Sequence, residues 1–353
     1  MGYCILAIET SCDETAAAVI AERKVLSNVI ASQQEHHRWG GIVPEIASRA
    51  HLERIWFIAE QALEDAGIEL DQLDAVACTV QPGLAGSLFV GANFAKGLAL
   101  GLRRACVPVH HLEGHILSGL LADPALELPA VVLVASGGHT LLVLLESVAQ
   151  YRVLGSTRDD AAGEAFDKIA TLLGLDYPGG PALEQLARSG APDIPLPRPL
   201  LSDPRFEFSF SGLKTAVRRY LAEHPPQSDA DRARIAASAQ AAIVEVLVAK
   251  TLRAAEMFGA RSIVLAGGVA ANQMLQQSVR NSAKRGSIRV IVPDRQYALD
   301  NAAMIGLVAH IKLELRGTDA YRTLAFSIDP TPWRMHRHGS NKHARYEDAA
   351  FSL

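Results

Sequence analysis

Two histidines four positions apart give the strongest chemical signal in the sequence, in the segment His111-Leu112-Glu113-Gly114-His115. If this segment is helical, both imidazoles lie on one face and can reach the same metal ion. His110 precedes the pair, but its offset of five positions from His115 points its side chain elsewhere. The same spacing also occurs on ordinary helix surfaces, so a metal site needs a further ligand.

Asp300 is the candidate for that ligand, because it stands in ALDNAAMIG near the predicted start of a helix. The alternative is that its carboxylate only caps the helix by accepting backbone N–H bonds. Two imidazoles and one carboxylate suit Zn²⁺ and Fe²⁺ about equally. We expect the three ligands, His111, His115 and Asp300, to lie in an open cleft rather than in a core.

Glycine-rich turns form a second group of candidate functional residues. The turn Ser136-Gly137-Gly138-His139 lies between two predicted strands, and Gly267-Gly268 follows a strand and leads into a helix. Glycines let the backbone approach a phosphate, and a helix N-terminus supplies unpaired N–H donors. Tight turns alone would explain either motif, but both turns in matched positions favour nucleotide binding. Asn272 could read a sugar or base edge or cap the helix, and His139 could move a proton or only shape its turn.

Asp167 in GEAFDK and Gly179-Gly180 in YPGGP form a third group. The carboxylate could bind ribose hydroxyls or an amino group of the ligand, and Gly180 could admit the ligand against the main chain. A salt link on a helix surface and a plain turn explain these two motifs about equally well.

The bulk composition restricts the class of protein. A net charge of -4 argues against a protein that coats nucleic acid through bulk positive charge. Four scattered cysteines without a C-x-x-C pair suit a reducing compartment. We find no secretory signal, and Gly, Ser or charged residues interrupt each apolar run before about 18 residues, so we expect a soluble cytoplasmic protein. Basic clusters that could still contact nucleic acid are Arg103 with Arg104, Lys214 with Arg218 and Arg219, and the C-terminal group of Arg334, Arg337, Lys342 and Arg345.

Apolar, β-branched runs alternate with helical stretches, which is the pattern of an α/β protein with largely covered sheets. The runs form two series of one plan, since IETSCDETAAAVI and CTVQPGLAGSLF in the first correspond to VASGGHTLLVLLE and VLAGGVAANQML in the second. We therefore predict an α/β fold with two similar lobes around a central cleft, as in the actin-like superfamily of sugar kinases and chaperone ATPases. The predicted strands are residues 4–9, 16–20, 25–31, 75–80, 107–110, 130–135, 140–145, 151–155, 262–266 and 288–292, and the predicted helices are residues 44–66, 87–102, 164–173, 232–258, 271–283 and 300–313.

The predicted domain division places residues 1–110 in a first lobe that the C-terminal helix region, residues 295–328, completes. Residues 111–294 form a second lobe with helical insertions. Residues 329–353 are a polar tail to which we assign no function.

Nine motifs together resemble one known family, the universal TsaD/Kae/Qri family. They are, in order, IETSCDETA, GGIVPEIASRAH, HHLEGH, VASGGHT, GEAFDK, YPGGP, FSFSGLKT, LAGGVAAN and DNAAMIG. The resemblance runs from about Ile5 to about Ile328, and a chance match of so many motifs in order and spacing is remote. The departures are small: Trp39 stands where Tyr is usual before GG, and Ala298 and Leu299 replace a frequent Cys and Thr before Asp300.

The resemblance implies transfer of threonylcarbamoyl from threonylcarbamoyl-AMP to the adenosine 3′ of the anticodon, in tRNAs that read ANN codons. It implies His111, His115 and Asp300 as ligands of one divalent ion, Fe²⁺ or Zn²⁺, and it admits ATP or ADP with Mg²⁺. Bacterial members of the family also need a TsaB-like paralogue and a TsaE-like ATPase. The substrate-binding positions that it implies are Val134, Ala135, Ser136, Gly137, Gly138, Asp167, Gly180 and Asn272.

Three other functions remain open at this point. A sugar or acetate kinase would share the lobes and the phosphate turns, but it should carry a catalytic Asp and use Mg²⁺ without two paired histidines. A zinc peptidase of the H-E-x-x-H class needs a Glu directly after the first His, where this chain has Leu112. A scaffold without catalytic activity should have lost His111 or His115, and both are present.

Overall fold

The computed structural model of the protein describes residues 2–39 and 41–331. The tail therefore lies almost wholly outside the described residues, together with its basic group, Arg334, Arg337, Lys342 and Arg345. The side chain of Trp39 is also outside them.

The chain folds into two compact units. Unit 1 combines the residues up to Ala122 with those from Leu299 onward, and unit 2 spans Asp123–Ala298. Both units are therefore α/β, and unit 1 is built from two separate parts of the sequence. The assignment of these units to functional domains remains a proposal.

Each unit contains one five-stranded sheet, and the two sheets have the same plan. Three strands form an antiparallel meander, and two further strands add in parallel beside its first strand. This repetition confirms the predicted α/β class with two similar lobes. Unit 1 has β1 Cys4–Glu9, β2 Glu14–Ala21, β3 Lys24–Ser32, β4 Ala75–Gln81 and β5 Ala105–His110, in the order β3-β2-β1-β4-β5. Unit 2 has β6 Ala130–Ala135, β7 Thr140–Ser147, β8 Gln150–Ser156, β9 Ser262–Ala266 and β10 Arg289–Ile291, in the order β10-β9-β6-β7-β8.

Eleven α-helices are assigned within the described residues. They are α1 Pro44–Ala66, α2 Ala85–Leu102, α3 His111–Leu117, α4 Gly119–Ala122, α5 Ala162–Leu172, α6 Gly179–Ala187, α7 Ser211–Glu223, α8 Asp229–Met257, α9 Gln273–Ala283, α10 Arg295–Ala298 and α11 Ala302–Arg316. Short 3-10 helices lie at Gln34–Trp39, Leu70–Gln72, Gly268–Ala271, Lys284–Gly286 and Thr318–Tyr321.

The first sheet is buried on both faces, as the alternation of side chains along a strand requires. Leu6 and Ile8 of β1 belong to a core shared with α1 and α2. Ala7, between them, contacts the other layer at Gly306 of α11, where a Cβ on the glycine would meet the Ala7 Cβ at 3.2 Å. Helix α11 thus packs directly against the middle of the sheet.

Two helices are long and apolar enough to cross a membrane by length and composition alone, which the sequence analysis did not anticipate. They are α2 and α8. Of the apolar window, 78% is buried within the structure in α8 and 33% in α2. Core helices pass the same test, and burial accounts for the apolar character of α8.

Candidate metal centre

The structure brings His111, His115 and Asp300 together within unit 1. One potential ligand atom from each residue lies within 4.8 Å of the others. Asp300 Oδ1 is 3.0 Å from His115 Nε2 and 3.4 Å from His111 Nε2. Two imidazoles and a carboxylate that converge in this way form a donor set for a divalent transition metal.

The local sequence explains why both histidines point the same way. Strand β5 ends at His110, and α3 begins with His111. The His110 side chain accepts a hydrogen bond from the backbone N–H of Leu112, at 3.1 Å, and so caps the helix. His110 is therefore directed away from the donor set, as its spacing predicts, and the helical periodicity places His111 and His115 on one face.

The alternative that Asp300 caps α11 is wrong. The cap is Asn301, whose side-chain oxygen accepts a hydrogen bond of 2.9 Å from the backbone N–H of Met304. Because the neighbouring residue satisfies the helix N-terminus, the Asp300 carboxylate remains directed to the two imidazoles.

The expectation of an open cleft is wrong for the histidines. The exposed fraction of the side chain is 6% for His111, 1% for His115 and 23% for Asp300. Solvent therefore reaches the donor set mainly at the carboxylate. A low-dielectric surrounding strengthens the interaction of these groups with any bound charge.

Glu9 is a functional candidate that the sequence analysis missed. Its Oε2 lies 3.1 Å from His111 Nδ1, on the side of the ring opposite to Asp300. The Thr79 hydroxyl donates to Oε2 and the Ser11 backbone N–H donates to Oε1, each at 2.5 Å. A carboxylate behind a ligating imidazole fixes its tautomer and orientation, so Glu9 is suited to direct His111 Nε2 towards a metal.

The electrostatics of the group favour ionised Asp300. Burial alone would raise the pKa of Asp300, but the charge and hydrogen bonds of His111 and His115 hold it well below its ordinary value. Burial would lower the pKa of His111, whereas the carboxylates of Asp300 and Glu9 raise it well above its ordinary value. The centre therefore stabilises positive charge beside its two carboxylates. A divalent cation would supply that positive charge.

The predicted glycine-rich turns of unit 2 lie against each other. The Gly163 N–H donates to the Ser136 carbonyl at 3.0 Å. Gly267 has φ +84°, and a Cβ there would lie 2.4 Å from the Ala135 carbonyl oxygen. Only glycine fits that position. The structure thus collects the turn of Val134 to Gly138, the start of α5 and the end of β9 at one edge of the second sheet.

Asp167 and Gly180 are also neighbours. The Gly180 N–H at the start of α6 donates to Asp167 Oδ1 at 3.1 Å. Burial raises the pKa of Asp167, although the backbone hydrogen bonds of Gly180 and Gly179 oppose that rise. Asn272 is the N-cap of α9: its Oδ1 accepts from the Leu275 N–H at 3.0 Å. Its Nδ2 donates to Gln240 Oε1 at 2.9 Å, so binding of a ligand by Asn272 remains a prediction.

Comparison with known proteins decides the family. The family profile described as "TsaD: tRNA N6-adenosine threonylcarbamoyltransferase" matches residues 24–307. The chain belongs to this family. A relative of that name from Moorella thermoacetica is 56% identical over 311 residues, which cover 87% of this chain and 91% of the relative. Another from Symbiobacterium thermophilum is 52% identical over 309 residues, covering 87% and 90%. The TsaD assignment agrees with the predicted resemblance.

Solved structures with low sequence identity share the fold. HypF from T. kodakarensis superposes with a TM-score of 0.60 at 16% identity, covering 89% of this chain and 48% of HypF. Component A of the (R)-2-hydroxyglutaryl-CoA dehydratase of Acidaminococcus fermentans gives a TM-score of 0.54 at 14% identity, covering 88% and 99%. These likenesses confirm the predicted actin-like fold class of this TsaD family member and carry no argument about its reaction.

Proposed function

We propose that this chain transfers the threonylcarbamoyl group of threonylcarbamoyl-AMP to N6 of the adenosine 3′ of the anticodon, in tRNAs that read ANN codons. The observation that carries the proposal is the convergence of His111, His115 and Asp300 in a chain 56% identical to a relative named for this reaction. The N6 amine attacks the carbamoyl carbon, the bond from that carbon to the phosphate oxygen breaks, and AMP leaves while the amine loses a proton.

The residues of unit 1 prepare a site for one divalent ion, Zn²⁺ or Fe²⁺. Glu9 contacts Nδ1 of the His111 ring, and His111, His115 and Asp300 would supply three donors to the ion. Three protein donors leave coordination positions open. When bound, the ion supplies Lewis acidity towards an anionic or carbonyl oxygen.

The residues of unit 2 are suited to the nucleotide part of the donor. The turn of Val134, Ala135, Ser136, Gly137 and Gly138 has open space beside its two glycines, since added Cβ atoms at Gly137 and Gly138 would meet nothing within 4 Å. Phosphate oxygens accept hydrogen bonds from such backbone N–H groups. Asp167, Gly180 and Asn272 complete the proposed binding positions, which would also suit ATP or ADP with Mg²⁺.

We propose that the tRNA contacts the protein at one of two pairs of basic residues. Arg103 ends α2 in the left-handed conformation, with φ +55°, and Arg104 donates from its guanidinium to the Asp71 carbonyl at 2.8 Å. Lys214 and Arg218 lie one turn apart on α7 and share a face. Neutralising the pair that contacts tRNA should reduce tRNA modification more than adenylate binding, and should lower the salt dependence of tRNA binding.

Exposed apolar side chains on α1 and α2 indicate a surface that binds a protein partner. By resemblance, the partners would be a TsaB-like paralogue and a TsaE-like ATPase, and the complex would be cytoplasmic. Leu52 and Phe57 of α1 are 69% and 67% exposed, and Phe89 and Leu100 of α2 are 61% and 68% exposed. Large apolar side chains exposed on neighbouring helices are the kind of surface that a protein partner can cover. Phe57→Glu should abolish co-purification with the paralogue while leaving metal content unchanged.

The test of the function is a reconstituted reaction with the partners, threonylcarbamoyl-AMP and unmodified tRNA, followed by mass spectrometry of the nucleosides. His115→Ala should lose both bound metal and product, with the circular dichroism spectrum retained. His224→Ala is the matched control, because His224 is an exposed histidine that stacks on Tyr220. Absence of product from the wild-type protein with bound adenylate would refute the transferase, and full activity of metal-free His115→Ala would refute the metal ligands.

A further inference from the structure

Glu113 lies in the middle of the histidine motif, yet it is not one of the three proposed metal donors. Its side chain is 0% exposed and its Oε2 is 3.0 Å from the Nζ of Lys312, whose side chain is 10% exposed. A buried ion pair adds little net stability compared with apolar residues of the same size, because both charges lose their hydration. The presence of this pair between α3 and α11 therefore calls for a role other than general stability.

The pair connects the two helices that hold the donors. Glu113 is on α3 between His111 and His115, and Lys312 is on α11, whose first turn follows Asp300. Lys312 also donates to the Pro108 carbonyl of β5 at 3.2 Å. The Lys312 ammonium group, on α11, thus contacts both α3 and β5, the strand that leads into α3. Helix α11 in turn begins beside Asp300, the third donor.

Close packing alone does not fix the relative position of α3 and α11. At Gly114 the helices approach so closely that a Cβ would lie 2.8 Å from Met304 Cγ and 3.3 Å from Ile305 Cδ1. Such contacts set the distance between the helices, but the flexible Met304 side chain could adapt to rotation or sliding. The buried ion pair resists both movements, because either would separate two opposite charges that have lost their hydration.

We propose that Glu113 and Lys312 are positioning residues, which hold α3 against α11 so that the His111, His115 and Asp300 donors meet at metal-ligand distances. The proposal rests on the metal site of the proposed function. Zinc–ligand bonds are about 2.0–2.2 Å long, and a productive site tolerates displacements of only about 0.5 Å. Movement of one helix by a fraction of its rise per turn would therefore separate the donors.

The test measures metal binding rather than turnover. Zn²⁺ affinity is determined by competition with a chromophoric chelator, and the visible spectrum of bound Co²⁺ reports the coordination geometry. Lys312→Met should lower the Zn²⁺ affinity about 10- to 100-fold, as loss of outer-shell support typically does, and should change the Co²⁺ spectrum. Glu314→Gln is the matched control, because Glu314 is also on α11 but pairs with Arg23, whose side chain is 47% exposed. The control should keep wild-type affinity and spectrum.

The double variant Glu113→Gln/Lys312→Met separates positioning from folding, because it leaves no unpaired buried charge. It should fold even if Lys312→Met does not, and its Zn²⁺ affinity should remain reduced. Wild-type affinity and spectrum in a folded Lys312→Met or in the folded double variant would overturn the positioning role. An equal loss of affinity in Glu314→Gln would do the same. If the wild-type protein itself binds neither Zn²⁺ nor Co²⁺, the metal site of the proposed function fails, and this inference with it.

Discussion

Replacement of Glu9 by Gln tests whether the residue behind His111 controls the metal centre. Gln has the same shape as Glu, but it presents one amide nitrogen that cannot accept a hydrogen bond. Glu9 accepts from three groups, the Ser11 backbone N–H, the Thr79 hydroxyl and His111 Nδ1. At least one of these bonds must therefore be lost or reversed in Glu9→Gln.

The expected magnitude follows from that loss. Removal of outer-shell support lowers metal affinity about 10- to 100-fold, which is about 1.4 to 2.7 kcal/mol of binding free energy. Leaving a buried donor without an acceptor also lowers the free energy of unfolding by about 1 to 3 kcal/mol. We therefore expect Glu9→Gln to bind Zn²⁺ more weakly and to unfold at a lower denaturant concentration.

The assay is Zn²⁺ titration against a competing chelator, with denaturant unfolding of the metal-free protein in parallel. Thr79→Val is the control, because it removes one hydrogen bond to Glu9 but keeps the carboxylate beside His111. It should lose stability with little loss of Zn²⁺ affinity. Unchanged Zn²⁺ affinity in a folded Glu9→Gln would show that Glu9 does not orient His111 for metal binding.

Three further predictions concern unit 2. Asp167→Ala and Asn272→Ala should each weaken binding of the adenylate about 5- to 150-fold with unchanged metal content, and calorimetry showing wild-type affinity in both would remove them from the site. Gly267→Ala should lower the free energy of unfolding by about 2 to 6 kcal/mol, because the position has φ +84° and an added Cβ would lie 2.4 Å from the Ala135 carbonyl oxygen. A denaturation midpoint equal to that of the wild type would contradict this. Burial lowers the pKa of Lys250 to about 8, so between pH 8 and the ordinary pKa of about 10.4 the unfolded chain binds more protons than the folded chain, and the free energy of unfolding should rise with pH. Lys250→Met should lack this rise. A variant with the same pH profile of stability as the wild type would exclude the effect.

Much of the fold was predictable because its signals are local. The ten predicted strands are all present, since each is a short apolar run bounded by turn residues. Helix α1 has the predicted bounds because Pro44 starts it and Gly67, with φ +65°, ends it in the left-handed conformation. Helices α6 and α7 were missed. The first begins within the glycines of YPGGP, which indicate a turn, and the second buries only Leu213 and Val217. The buried residues of both helices recur every four positions, but two or three such positions are too few to distinguish a helix from a turn.

The metal centre was predictable only in part, because its remaining contacts are distant in the sequence. The spacing of the two histidines identified one helix face, but Glu9 and His111 are 102 positions apart. Their contact arises because β1, β4 and β5 lie side by side in one sheet, which spacing alone does not reveal. For Asp300 the difficulty was local. Asp and the adjacent Asn301 are both good helix caps, and only the backbone geometry shows which of them caps α11.

The division of unit 1 into two stretches of sequence determines when the centre can be assembled during synthesis. His115 leaves the ribosome 185 residues before Asp300, an interval of about 10 to 40 s at ordinary translation rates. Throughout that interval the nascent first sheet lacks α11, so the face containing Ala7 and Ile20 has no helix to cover it. All of unit 2 is made in the meantime. Maturation of the centre is therefore a late event, and a chain that stops after Ala298 would contain both histidines but neither the carboxylate nor the helix that brings the site together.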